Sequence, residues 1–418
     1  MTSKAKPRAK LVARKKPVIS KVAVRMYNVG FGDSFLVTYI YDDLEYHILI
    51  DCGSIAGAIT PTKPTLDTIV DDIIKRCTVA NQARIDVVVA THRHRDHLSG
   101  FEKDAWGQVE VGEVWLPWTE DPGDSEATTI RELQLKIAET INRDINKKPE
   151  LVSMKDAIFN ATSNPKAMNL LLHGFQGDVM RRFLPETAPG ELLVTEVLPG
   201  ARVHILGPSK DPKVIKNLNP PSGTTYLNLA EFDSGNGKID PLFGAEWTVN
   251  ESNFRIGFSH LKFLPDEQQK LQELSKGTEL LLAAALDGAI NGTSLVLVLE
   301  LGNHFLLFPG DAQWGTWNAM LNDPAIVKLL GKTTLFKVGH HGSHNATPID
   351  FVNKHLSDKI PALVSTRTIK KWPDIPRKPL IEALEKKSIQ IVRSDQPFQN
   401  ALGITQDQND LYTEIQLG

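Results

Sequence analysis

The run Ile85-Asp86-Val87-Val88-Val89-Ala90 leads straight into Thr91-His92-Arg93-His94-Arg95-Asp96-His97-Leu98-Ser99-Gly100. A short apolar run of this kind reads as a buried strand. The strand therefore stops in three imidazoles and a carboxylate, His92, His94, Asp96 and His97. Packing explains this poorly, because histidine is only an intermediate core residue and uncompensated buried charge is costly. Imidazole and carboxylate together are what a borderline divalent metal takes as ligands. A His-x-His pair at a strand end aims two imidazoles at one ion, and Asp96-His97 serve a second ion beside it. The alternative, a polar loop rich in histidine by chance, leaves the tight spacing unexplained.

Other pieces follow in order. Asn28-Val29-Gly30-Phe31-Gly32-Asp33-Ser34 is a glycine-bearing turn, and Ile48-Leu49-Ile50-Asp51-Cys52-Gly53 is a strand ending in an aspartate. Downstream come Leu306-Leu307-Phe308-Pro309-Gly310-Asp311 and Phe336-Lys337-Val338-Gly339-His340-His341-Gly342-Ser343. Together with His92-x-His94-x-Asp96-His97 these pieces resemble the motifs of the metallo-β-lactamase fold superfamily. Their wording is closest to the metallo-β-lactamase domain of ComEC-type competence proteins and their soluble relatives. The resemblance implies an α/β fold, the metallo-β-lactamase αββα sandwich, carrying a metal-dependent hydrolase. It implies that His92 and His94 hold one ion, that Asp96 and His97 hold a second, and that Asp311 bridges both. One of His340 or His341 completes the second site. Adjacent residues on an extended chain point opposite ways, so one of the pair reaches the metal while the other contacts substrate or acts as an acid. Asp96, Asp311 and His341 are the expected catalytic residues, and Asp51 braces the metal loop. Asp33 either lies near the metals or caps its turn. Ser343 and His344 either touch substrate oxygen or cap a turn or helix.

There is one departure from the pattern. Many two-metal members carry a further histidine between the His-rich loop and the bridging aspartate. His173, His204 and His260 lie in that interval without a convincing neighbourhood, and the matching place reads Gly288-Ala289-Ile290-Asn291-Gly292-Thr293-Ser294. Asn291 there, as the ComEC-type branch tends to show, implies weaker protein ligation of the first ion. That favours a harder, exchangeable ion such as Mn²⁺, although the ligand set suits Zn²⁺ as well. The expected cofactors are two divalent ions, Zn or Mn. Two such ions clamp a phosphodiester and lower the pKa of a water toward neutrality. The expected function is a phosphodiesterase or nuclease that uses a two-metal-activated water on DNA, RNA or a nucleotide-derived small molecule. The alternatives are hydrolysis of a lactam, lactone or thioester on the same scaffold, or a metal-binding module without turnover, since fold does not settle substrate.

Composition bounds the rest. In 418 residues, 41% hydrophobic and 23% charged content is ordinary for a soluble globular chain. No stretch approaches the length of apolar sequence a membrane helix needs, so no span is expected, unlike full-length ComEC channels. Cys52 and Cys77 are the two cysteines; they make no disulfide framework, and a cytoplasmic location is the default. Residues 1–21 hold eight Lys or Arg and no acid, which reads as a nucleic-acid-binding arm or a solvated, disordered leader. Without them the remainder carries a formal charge of about −11, which argues against a broad non-specific DNA-binding surface. Gly30-x-Gly32 alone is not a dinucleotide fingerprint. Lys370-Lys371-Trp372-Pro373 with Arg377-Lys378 form a basic loop, either phosphate-steering or simply solvated.

With the resemblance, the pattern implies the basic tail at 1–21, a first half of the metallo-β-lactamase domain at 22–118, helical and loop insertions around the site at 119–290, and a second half of that domain at 291–418. Residues 22–40 read as two strands around the glycine turn, with further strands at 46–50 and 109–116 and a helix at 66–80. Helices are expected at 126–145, capped by Ser125, and at 169–183. Strands return at 194–206, long loops fill 209–260, and a helix follows at 265–286. A hairpin turns at Gly302-Asn303. Strands at 334–338, 361–366, 389–393 and 412–417 surround a helix at 379–387.

Overall fold

The computed structural model describes residues 18–55, 64–145 (backbone alone at 140–145), 160, 164–215, 217–218, 220–221, 224–225, 286–343, 346–369, 373–396 and 403–417. The basic segment 1–17, most of the loops expected at 209–260, the helix expected at 265–286 up to its last residue, residues 370–372 and His344 lie outside them.

Two mixed sheets form the protein. The strands are β1 (Ile19–Tyr27), β2 (Ser34–Tyr41), β3 (Leu44–Cys52), β4 (Thr78–Val79), β5 (Gln82–Val89), β6 (Glu110–Pro117), β7 (Met180–Leu184), β8 (Glu191–Leu193) and β9 (Ala201–Gly207). They continue as β10 (Val296–Leu301), β11 (His304–Phe308), β12 (Leu335–Lys337), β13 (Pro361–Val364), β14 (Gln390–Arg393), β15 (Ile404–Gln406) and β16 (Tyr412–Leu417). The first sheet runs β15-β16-β1-β2-β3-β5-β6-β7 with β4 beside β5, and the second runs β14-β13-β12-β11-β10-β9-β8.

The apolar runs become strands because both faces of each sheet are covered. Ile48, Ile50, Val87 and Val89 face inward against Ile205, Leu297, Leu299 and Phe308 of the second sheet. Their alternates Leu49 and Val88 face outward, the period of two that a strand imposes. That outer face is covered by α1 (Leu66–Arg76) through Leu66, Ile69, Val70 and Ile73. Across the molecule Val296, Val298, Leu307 and Phe336 face outward beneath further helices. The rings of Phe35 and Phe308 meet edge to face at 5.6 Å, joining the two sheets.

Strand direction places the site. β3, β5 and β6 are parallel neighbours, as are β11, β12 and β13. The carboxyl ends of each set therefore share one edge, where α/β sheets present their ligands. Asp51 ends β3, the His-rich loop follows β5, and Asp311, His340 and Ser365 follow β11, β12 and β13 in turn.

Most expected elements are present, with four differences. The helix expected at 66–80 ends at Arg76, and Thr78–Val79 is β4. The helix expected at 169–183 stops early: α4 spans Pro165–His173, and Met180–Leu184 is instead β7, parallel to β6. Gly174 ends the helix and Gly177, at φ +97°, turns the chain. The cap of α3 (Ser125–Ile145) is Asp124, not Ser125; its Oδ1 accepts from the amides of Glu126 and Ala127 at 2.8 and 2.9 Å. The strand expected at 194–206 begins only at Ala201: residues 194–200 form the turn, ending at Gly200, φ +78°, that joins β8 to β9. Among the described residues, no helix is long and apolar enough to cross a membrane.

Candidate metal centre

His92, His94, Asp96 and His97 leave β5 in one short loop, and all four are buried. Residues Arg95–Leu98 form a single helical turn, α2, which swings Asp96 and His97 back beneath His92. Gly32 lets the earlier glycine turn lie against this loop: at φ +156°, a Cβ there would strike the carbonyl oxygens of Asp96 and Gly53. The amide of Asp33 donates to Asp96 O at 3.0 Å, which locks the two segments together.

Asp96, His97, Asp311 and His341 each present one ligand-type atom, and the four atoms lie within 4.8 Å of one another. His97 Nε2 is 3.3 Å from Asp311 Oδ2, and His341 Nε2 is 3.3 Å from Asp96 Oδ2. Two ligands bound tetrahedrally at Zn–N and Zn–O distances near 2 Å stand about 3.3 Å apart, so the spacing suits an ion. Asp96 Oδ1 is buried without a hydrogen-bond partner, a donor left over for that purpose. Beside this group His92 Nε2 lies 3.0 Å from His94 Nδ1. The residues fit a divalent metal.

The outer nitrogens of the rings are held in a way that frees the inner ones. Asp51 accepts from the Thr91 amide and hydroxyl, both at 2.7 Å, and from His97 Nδ1 at 2.8 Å. With its own proton given to Asp51, Thr91 Oγ1 accepts from His92 Nδ1 at 3.1 Å. His341 Nδ1 donates to the Ser365 carbonyl at 2.8 Å. In each case Nε2 is left facing the cluster, the arrangement that fixes a metal-binding tautomer. The carboxylate of Asp51 thus orients two imidazoles from behind.

Electrostatics point the same way. Burial works against a charged His97, but the carboxylates of Asp311, Asp51 and Asp96 outweigh it and hold its pKa well above the usual value. Burial also opposes charge on His341, and its bond to Asp96 with the nearby Asp33 and Asp311 raises it nonetheless. Asp96 and Asp311 resist their own burial and titrate well below the carboxylate range, chiefly because of His97. His92 is pushed down by burial, and His94 falls to about 4 for the same reason. The buried carboxylates at the centre call for positive charge.

His340 and His341 are not on an extended chain. Both are left-handed, at φ 46° and 56°, a conformation costly for side chains with a Cβ and characteristic of functional sites. Both rings turn toward the centre, at different depths. His341 sits inside the cluster, whereas His340 Nε2 stands 3.8 Å from Asp311 Oδ2 with its side chain 22% exposed. Its Nδ1 pairs with Ser343 Oγ at 2.8 Å.

No family model matches the chain, and no curated protein matches it. Among solved structures, the crystal structure of a protein of unknown function from Enterococcus faecalis V583 aligns over 90% of this chain and 88% of its own, at 10% identity and a TM-score of 0.27. That likeness carries no argument.

Of the other residues singled out in the sequence, Asn291 is buried nearby, and its Nδ2 donates to Asp287 Oδ2 at 3.2 Å. Asp33 does not cap its turn: its Oδ2 meets the ammonium of Lys337, and its Oδ1 faces His341 Nδ1 at 3.7 Å. His204 pairs with Glu300 at 2.7 Å within the second sheet, and His173 is exposed at the end of α4. Cys52 is a buried filler whose thiol burial pushes up to about 12.

The structure adds residues that local sequence gave no reason to select. Lys337, fully buried, also lies 3.6 Å from Asp311 Oδ1. Arg93 turns away from its flanking histidines and forks onto Glu120, at 2.9 and 2.5 Å. Asn160 Oδ1 accepts from the Asp96 amide at 3.1 Å, and Asn164 Nδ2 donates to the Arg93 carbonyl. Asp287 faces His94. All are ion pairs or side-chain hydrogen bonds between distant segments.

Proposed function

We propose that the protein is a metal-dependent hydrolase built as a metallo-β-lactamase αββα sandwich, acting on phosphodiesters through two divalent ions. The observation that carries this reading is the convergence of Asp96, His97, Asp311 and His341 within 4.8 Å, with the His92–His94 pair beside them. The two sheets packed face to face, with helices outside, support the fold. The ordered motifs support the phosphodiesterase or nuclease assignment.

In this reading His92, His94 and Asp311 would hold one ion, and Asp96, His97 and His341 with Asp311 would hold the other. A pair of dications there would bring a water's pKa toward neutrality and neutralise charge on the phosphoryl oxygens. Asp311 would serve both positions. Asp96 and His341 pair across the second position and keep its geometry. His340 stands at the rim with Nδ1 held by Ser343, which leaves Nε2 to donate a hydrogen bond to a substrate oxygen. Asp51 and Thr91 orient the rings and touch no substrate. Manganese and zinc both suit a nitrogen- and oxygen-donor set.

Hydrolysis of bis-p-nitrophenyl phosphate with added Mn²⁺ or Zn²⁺, run beside nitrocefin and a thioester, tests the assignment. Turnover of the diester alone, abolished by His94→Ala or Asp96→Ala, is expected. Turnover of nitrocefin or the thioester alone would overturn the phosphodiesterase reading, and full activity in either variant with unchanged metal content would overturn the metal centre.

A further inference from the structure

The outer nitrogens of His92, His97 and His341 all have a hydrogen-bonding partner behind them. His94 differs. Its Nδ1 faces His92 Nε2 at 3.0 Å, so the far side of the ring, Nε2, points out of the cluster. That atom is buried and makes no hydrogen bond. The carboxylate in front of it is Asp287, with Oδ1 at 3.6 Å.

Asp287 is placed for this. Residues 286–291 are helical, so Asp287 and Asn291 lie one turn apart on the same face. Asn291 Nδ2 donates to Asp287 Oδ2 at 3.2 Å, which steadies the carboxylate and leaves Oδ1 toward the imidazole. Asn291 also approaches the His94 ring and favours its charged form. The same carboxylate favours charge on His340, so it lies near both histidine motifs.

We propose that Asp287 is the positioning residue of His94: its carboxylate accepts the Nε2 proton, leaving the Nδ1 lone pair for the first ion, and Asn291 holds that carboxylate in place. The inference rests on the metal-centre reading above and adds to it the group that sets the affinity of the first ion. It gives the segment around Asn291 a role without making it a ligand. Asp287 contributes anionic charge behind the ring, as Asp51 does for His97. Outer partners of this kind usually change metal affinity by about 10- to 100-fold when removed.

The test uses the full chain with Mn²⁺ or Zn²⁺ titrated calorimetrically, in the wild type, Asp287→Asn and Asp287→Ala. The expected result is two sites in the wild type, and in both variants a loss of about 10- to 100-fold at one site with the other unchanged, which also reports an intact fold. Ring ¹⁵N chemical shifts of labelled histidine, read on the Zn²⁺-loaded protein, supply a signal that a merely structural role would not move. His94 should show a hydrogen-bonded Nε2–H in the wild type and lose that signature in Asp287→Ala. Two unaltered sites in the variants, with the His94 signature unchanged, would overturn the role of Asp287 while leaving the metal centre standing. Absence of both sites in the wild type would overturn the centre and this inference with it.

Discussion

Replacing Lys337 with methionine keeps the length of the side chain and deletes one buried charge. The ammonium is 2% exposed, contacts Asp33 Oδ2, donates to the Gly310 carbonyl at 3.3 Å, and lies 3.6 Å from Asp311 Oδ1. Burial alone would lower its pKa, but Asp33 and Asp311 outweigh burial and raise it, so it stays charged. At an effective dielectric near 20, a pair about 4 Å apart attracts by about 4 kcal/mol. Desolvation absorbs much of that while the pair is intact. Removing one partner leaves Asp33 buried with its charge, and breaking a pair in this way costs about 3–5 kcal/mol. Urea unfolding in EDTA, followed by the fluorescence of the buried Trp106, Trp115 and Trp317, measures it. The double variant Lys337→Met/Asp33→Asn should recover part of the loss, because no unpaired charge remains. Metal affinity supplies the second arm. The lost charge is positive and close to the centre, so affinity for a cation should hold or rise while stability falls, whereas a lost ligand lowers affinity. A single variant within about 1 kcal/mol of the wild type would refute the buried-pair argument.

Two further outcomes are expected. Glu120→Ala strips the fork from Arg93, whose side chain is 15% exposed; it should cost about 3 kcal/mol in urea unfolding and weaken the ion held by His92 and His94, and unchanged metal titration would separate Glu120 from the loop. His47 is pushed down to about 4, first by burial and then by the charge of Arg76. Its unfolded form takes up a proton as pH falls below about 6.5, while the folded form resists until about 4. The stability it confers is therefore complete above pH 6.5 and lost on the way down to 4, by about 3 kcal/mol. His47→Gln should flatten that slope; parallel stability curves for variant and wild type between those pH values would contradict the assignment.

The strands that carry the site were legible because each is a short apolar run ending in polar residues. β5 shows this best: burial on both faces makes its run continuous, and the chain chemistry changes at Thr91. The hairpin at Gly302-Asn303 was equally local. Where the reading failed, a competing local signal or a distant partner decided. Asn169 to Phe183 carries apolar residues at spacings compatible with a helix, yet Met180–Leu184 gains more from pairing with β6. Asp124 and Ser125 are both good caps, and sequence alone does not rank adjacent candidates. His340 and His341 were placed on an extended chain because nothing nearby announces two left-handed residues; the His340 amide bonded to Asp311 Oδ1 at 3.2 Å helps hold that turn. The ligand types were legible, but their meeting was not: His341 reaches Asp96 across 245 positions. Lys337, Glu120 and Asp287 stayed hidden for the same reason, since an ion pair between remote segments leaves no periodic trace.

The central claim is a two-ion centre bridged by Asp311. Its carboxylate is 1% exposed, with Oδ2 toward His97 and Oδ1 taken by the His340 amide. It does not cap the following helix, α5 (Trp314–Leu321), whose first turn has no side-chain cap, so an asparagine in its place gains nothing as a cap. Metal content per chain in the wild type and in Asp311→Asn, measured after reconstitution and desalting and beside the rate on bis-p-nitrophenyl phosphate, tests the claim directly. The expected result is two ions in the wild type and one in the variant, with the rate lower by about a hundredfold or more. Two ions and undiminished turnover in Asp311→Asn would contradict it.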